Sequence, residues 1–163
     1  VIALAVTYSQ IATQTLGSAA SSVTFSSIPG TYTDLRIVYA STASSDAGNY
    51  LRFNSDSGSN YSRTNLYGNG LAAGSDRQSN VTGIYGPFTM SSNVTTNFID
   101  VMNYSNTTTN KTVLVRAGAA NNSTLATVGL WRSTSAITSI VITCDGANFA
   151  SGSIFSLYGI LAA

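Results

Sequence analysis

Two stretches, Asp34-Leu35-Arg36-Ile37-Val38-Tyr39-Ala40 and Ser153-Ile154-Phe155-Ser156-Leu157-Tyr158-Gly159-Ile160, decide the fold class. In the first, Leu35, Ile37 and Tyr39 fall on one side of an extended chain, opposed by Val38 and Ala40. In the second, Ile154, Tyr158 and Ile160 oppose Phe155 and Leu157. Successive side chains of a strand point to opposite faces, so this spacing of two is the spacing of β-structure. One face meets a core. The other needs a covering loop or a neighbouring subunit, because an antiparallel sheet with one wet face normally alternates cleanly between apolar and polar residues.

The same period recurs outward in both directions, and helical spacing persists nowhere. Strands are predicted over Val6 to Thr15, Ser22 to Ile28, Asp34 to Ala40, Tyr50 to Asn54, Tyr61 to Tyr67, Val94 to Tyr104, Thr112 to Ala117, Leu125 to Arg132, Thr138 to Cys144 and Ser153 to Ile160. Gly68 to Asn80, with Gly68-Asn69-Gly70 and Gly74-Ser75-Asp76, reads as the longest irregular stretch and an exposed loop. Pro29 ends a strand, since proline fixes φ and holds the residue before it extended. The prediction is an all-β fold: a two-sheet antiparallel sandwich, jelly-roll type, preferred over an immunoglobulin sandwich that usually shows a cysteine pair around a tryptophan. At 163 residues there is room for one domain, 1–163, with residues 1–6 a possible N-terminal arm.

Composition narrows the function. Only 8% of residues are charged and the net charge is +1, while the hydrophobic share is 44%. The arginines and Lys111 are scattered singly, which gives no basic stripe for phosphates and argues against nucleic acid as a partner. A surface so poor in charge lacks the self-repulsion that keeps monomers apart, which suits a subunit covered by neighbours. Val1-Ile2-Ala3-Leu4-Ala5-Val6 is too short for a membrane span and has no basic residues before it, so neither a membrane partner nor a signal peptide is expected. Cys144, alone and on one strand face with Ile140 and Ile142, reads as an inert buried thiol, as suits a reducing cytoplasm.

The chain has no histidine and no glutamate, which removes the usual general bases and most zinc sites, so no enzyme and no cofactor is expected. Asp34, Asp46, Asp56, Asp76, Asp100 and Asp145 sit mostly beside small residues, where aspartate satisfies turns. Lys111, after the polar run Asn106 to Asn110, reads as a solvated charge at a loop edge rather than a nucleophile's base. Asn54-Ser55-Asp56-Ser57-Gly58-Ser59-Asn60 alternates oxygen ligands like a calcium loop but lacks the terminal glutamate, and a plain Asx-rich turn is preferred. Glycosylation triplets such as Asn93-Val94-Thr95 follow from a composition rich in asparagine, serine and threonine. Tyr50, Tyr61, Tyr67 and Tyr85 near the loop-rich middle are core or interface residues first, and sugar-stacking residues as the alternative.

Four stretches, VTFSSIPGTYTDLRI (Val23 to Ile37), NSDSGSNYSRTNLYGNG (Asn54 to Gly70), GLWRSTSAITSIVIT (Gly129 to Thr143) and GSIFSLYGI (Gly152 to Ile160), resemble virion structural proteins of tailed phages, of capsid decoration, cement or fibre type. The shared residues are strand and turn residues, with no catalytic or ligand position to carry over. The resemblance implies a homotrimer seated on the capsid surface of a virion assembled in the host cytoplasm, bridging major capsid protein subunits and stabilising the head. Its partner interface is expected at the apolar N-terminus, Val1, Ile2, Leu4, Val6 and Tyr8, which would add to an adjacent subunit. The alternative is a tail-fibre or receptor-binding module recognising host glycans, whose mark would be a shallow groove lined by tyrosines and asparagines.

Overall fold

The computed structural model describes residues 7–161, and along them the alternation resolves into twelve strands. In chain order they are β1 (Tyr8–Thr15), β2 (Ser22–Phe25), β3 (Asp34–Ser41), β4 (Ala47–Phe53), β5 (Tyr61–Gly68), β6 (Ala73–Val81), β7 (Ile84–Thr89), β8 (Thr95–Val101), β9 (Lys111–Ala119), β10 (Ser123–Trp131), β11 (Ile140–Cys144) and β12 (Ile154–Ile160). They form an eight-stranded sheet, β1-β12-β3-β8-β9-β10-β5-β6, and a four-stranded sheet, β2-β11-β4-β7. The all-β antiparallel sandwich is as the sequence predicts.

The connectivity is that of a jelly roll with an addition. β12 pairs with β1 and β3, and β11 pairs with β2 and β4. β3 then pairs with β8, and β4 with β7. Two four-stranded layers, β1-β12-β3-β8 and β2-β11-β4-β7, are thereby wound together from eight strands. The other four strands are two hairpins inserted in the connections: β5–β6 between β4 and β7, and β9–β10 between β8 and β11. They dock beside β8 in the order β9-β10-β5-β6 and lengthen only one sheet.

The core lies between the layers. Leu35, Ile37, Tyr39, Ile99, Val113, Phe155 and Leu157 from the long sheet cluster with Val23, Phe25, Leu51, Phe53, Ile84, Ile140 and Ile142 from the short one. Each such side chain taken fully out of water contributes about 1.5–3 kcal/mol before entropy is charged. Cys144 is buried on the same face as Ile140 and Ile142, and burial pushes its thiol up to about 11, so it stays protonated and inert. The short sheet ends at β7, which lies hard against β10. A Cβ on Gly86 would stand 2.4 Å from Thr127 Oγ1, and one on Gly129 would stand 2.7 Å from Ile84 Cγ2.

Three expectations need correction. Gly68 to Asn80 is not a loop: the turn is short, held by Asn69 Oδ1 accepting from the Leu71 and Ala72 amides, and β6 follows it. β7 was not expected, because Gly86-Pro87 punctuates it; proline is tolerated there because β7 is an edge strand. Lys111 is fully buried. It occupies an inward position of β9, two before Val113, and its ammonium reaches the end of the sandwich to donate to the Thr109 carbonyl at 2.7 Å and the Thr134 carbonyl at 3.3 Å. Burial lowers its pKa.

Candidate functional site

Two surfaces of the added hairpins stand out, one on each side of β5. The inward positions of this strand are Tyr61, Arg63, Asn65 and Tyr67. They run from the core to the open. Tyr61 is fully buried beside Phe53 and Trp131, donating to the Asp56 carbonyl and accepting from the Phe53 amide. It is a core residue and takes no part in a surface site. Asp56 closes that end: its carboxylate accepts from the Trp131 indole at 2.7 Å, the Gly58 amide at 2.8 Å and the Asn60 amide group at 3.0 Å. Those donors hold its pKa below the usual carboxylate range, the indole bond foremost. The Asp56 carboxylate of the would-be calcium loop thus serves an Asx-type turn, while Asn54 Oδ1 accepts from the Thr138 and Ser139 amides.

Further along, β5 and β6 lie beyond the edge of the short sheet. Pairing sets Arg63 opposite Gln78, Asn65 opposite Asp76, and Tyr67 opposite Gly74. Arg63 is 7% exposed and donates to Asp76 Oδ1 and Gln78 Oε1, both at 3.0 Å, with its guanidinium 5.6 Å from the Tyr85 ring centre. Its Nε–H has no hydrogen-bond partner among the described residues. Asn65 accepts from Thr127 Oγ1 at 2.7 Å, which leaves its amide nitrogen to donate. Tyr85 reaches over from β7, seated where Gly48 has no side chain, and meets Tyr50 edge-on at 4.8 Å. Tyr67 stands 47% exposed across Gly74. A groove runs between them, with Arg63 and Asn65 in its floor and Tyr67, Tyr85 and Asp76 around it. On the far side of Tyr85 a second recess is lined by Tyr50, Gln78 and Asp145. Burial first, then Asp145, raises the pKa of Tyr50 and Tyr85, so both phenols keep their proton as donors.

The outward face of the long sheet is different. Leu114 and Val128 are cross-strand neighbours, as are Ala126 and Leu66 in the next row. Leu66 is 63% and Val128 53% exposed, and Leu114 is also exposed, so an apolar patch spans β9, β10 and β5, while exposed Phe98 on β8 stands apart from it across Arg116. Charge flanks it on one side: Arg36 clamps Asp100 with contacts of 2.5 and 3.0 Å, and Arg116 lies 3.7 Å from Asp100 and over the Phe98 ring. Asp76 and Asp100 therefore serve arginines, not the turns expected of them. Asp34 and Asp46 accept from backbone amides far along the chain, those of Asn103 and Ser91, and so tie distant turns rather than their own.

Of the expected interface residues, Val1, Ile2, Leu4 and Val6 lie outside the described residues. Tyr8 is exposed on β1, an edge strand, where its hydroxyl accepts from Arg36 at 2.7 Å and its ring lies under the same guanidinium. Tyr67 and Tyr85 line one groove, and Tyr50 lines the neighbouring recess on the other side of Tyr85. Arg63 was missed. The available signal was a charged and an amide residue at the core-facing positions of an otherwise regular strand.

No family model matches the sequence, and no curated protein matches it. Among solved structures it is similar to exo-inulinase from Aspergillus awamori, at 12% identity and a TM-score of 0.47, covering 94% of this chain and 29% of that one. It is also similar to galectin LEC-6 from Caenorhabditis elegans, at 14% identity and a TM-score of 0.35, covering 92% of this chain and 96% of that one. The chain thus spans under a third of the inulinase.

Proposed function

We propose that this chain is a non-enzymatic virion structural protein, a capsid decoration or cement subunit that associates with itself and bridges major capsid subunits. The observation that carries the reading is the apolar patch of Leu66, Leu114, Ala126 and Val128, left open at the middle of a sheet whose other face is largely the core. Contiguous apolar surface of this kind marks a face that is covered in use. The Arg36–Asp100–Arg116 cluster beside it would fix register without supplying much affinity. Many copies acting together need only a weak contact each.

The test pairs Leu114→Asp with Val128→Asp. Sedimentation from dilute to concentrated solution, and imaging of virions for a capsid-wide lattice, are expected to show association in the parent chain and loss of both in the double variant. Thermal stability should fall by about 1–2 kcal/mol, because the new carboxylates oppose each other and Asp100 across the strands, so circular dichroism of the variant checks that it is still folded. A parent chain that stays monomeric and is absent from capsids would sink the reading. A second reading, a receptor-binding module at a fibre, is favoured by the tyrosine groove alone.

A further inference from the structure

We infer that the groove between Tyr67 and Tyr85 is a binding subsite for a neutral hexopyranoside. The inference deepens the receptor-binding reading and is independent of the assembly reading, because groove and apolar patch occupy opposite faces of β5. A pyranose ring offers an apolar C–H face and a rim of hydroxyls, each both donor and acceptor. The matching site needs an aromatic face, a carboxylate with spare lone pairs and a fixed donor close together. Tyr67 supplies the open ring, 47% exposed. Asp76 supplies the carboxylate: it is partly exposed and, beyond its bonds to Arg63, retains acceptor sites for sugar hydroxyls. Asn65 supplies the amide donor, with its oxygen pinned by Thr127.

The floor is built in advance. Arg63 is held by Asp76, Gln78 and the Tyr85 ring at once, so little order remains to be imposed when a ligand arrives. The rings are seated too. Tyr85 lies over Gly48, where a Cβ would stand 1.9 Å from its hydroxyl, and Tyr67 lies over Gly74, where a Cβ would stand 2.7 Å from its hydroxyl. Charge selects the class of sugar. Arg63 is already neutralised by Asp76, and Asp145 stands beyond Tyr85 with no arginine paired to it among the described residues, so a carboxylated sugar would meet repulsion rather than a free cation.

Saturation-transfer NMR on the purified chain, with methyl glucopyranoside, galactopyranoside and mannopyranoside as probes and galacturonate as the acidic control, tests this. Transfer to ring protons of at least one neutral glycoside is expected, and none to galacturonate. Tyr67→Ala and Asp76→Asn should each weaken that glycoside about tenfold. Tyr67→Phe should keep it, and Gly74→Ala, which displaces the Tyr67 ring without touching the floor, should weaken it as Tyr67→Ala does. Leu114→Asp should leave it unchanged. No transfer from any neutral glycoside, preference for galacturonate, or indifference to Tyr67→Ala with the melting profile intact would each overturn the inference. A tail-tip location with no sugar bound would sink it while sparing the receptor-binding reading.

Discussion

The eight-strand jelly-roll frame and the four added strands obey the same alternation but fill it differently. Inward positions of β3 read Leu35, Ile37, Tyr39; inward positions of β5 read Tyr61, Arg63, Asn65, Tyr67. The difference is cover. Over β3 lies the short sheet; over β5 it reaches Tyr61 through Phe53, and beyond that only the edge of β7 arrives, through Tyr85. A core-facing position is apolar where a second layer removes water. Where that layer stops, the same position is free to carry polar groups, provided they are paired, as Arg63 is by Asp76 and Gln78. Chemistry in this molecule collects at the step between a long sheet and a short one.

The sharpest way to break that contrast is to truncate both regions alike. Leu157→Ala, in the covered frame, is expected to cost about 3 kcal/mol, because a fully buried leucine leaves a cavity its neighbours fill only in part. Arg77→Ala, exposed on the outward side of β6, should cost about 0.5 kcal/mol or less. Urea denaturation monitored by circular dichroism reads both. Equal losses would mean that the extension is as much a part of the core as the frame.

The boundary itself is the next target. Gly86→Ala places a methyl group 2.4 Å from Thr127 Oγ1, where β7 lies on β10. Neither a short threonine nor two paired strands yields easily, so the cost should be about 1–3 kcal/mol. The groove should change with it, since Tyr85 precedes Gly86 in the same strand. Loss of stability together with loss of glycoside transfer would place the step where the two sheets meet; a neutral substitution would mean that β7 is not wedged there.

The contrast also explains what could be read from the sequence. Ten strands were legible because each has at least one covered face and so keeps a period of two. β6, Ala-Gly-Ser-Asp-Arg-Gln-Ser-Asn-Val, has neither face under a second layer: Gly74, Asp76 and Gln78 look toward the groove, while Ser75, Arg77 and Ser79 look outward. Its composition is that of a loop, and only pairing to β5 makes it a strand. β7 was hidden by Gly86-Pro87, a turn signal that an edge strand tolerates. Lys111 was misread because its charge outweighed its register: two residues before Val113 it had to point inward. The tyrosines of the groove were legible as residue types. Their convergence was not, since Tyr67 and Tyr85 come from β5 and β7, and Arg63 gains meaning only from Asp76 and Gln78 across the hairpin.

The last effect reads the cover of the frame by pH. Cys144, inside the frame, has its thiol raised from 9.0 to about 11 by burial, then by Asp145, and burial raises Tyr61 to about 12 and Tyr39 further still. These acids are protonated in the fold when the unfolded chain has begun to ionise. Their stabilisation is fully present below about pH 9 and is lost as pH rises through the folded values of about 11 and 12. Lys111 acts oppositely: its folded pKa lies below 10.5, so stability rises with pH between the folded and unfolded values. Comparing Cys144→Ala with the parent cancels that term, because both chains keep Lys111. The variant should be less stable at neutral pH, and its loss between pH 7 and pH 10 should be smaller than the parent's by on the order of 1 kcal/mol. Melting curves across that range decide it: if the pH dependence of Cys144→Ala matched the parent's, the thiol would not be kept from water by the fold, and the assignment of cover to the frame would fail at this strand.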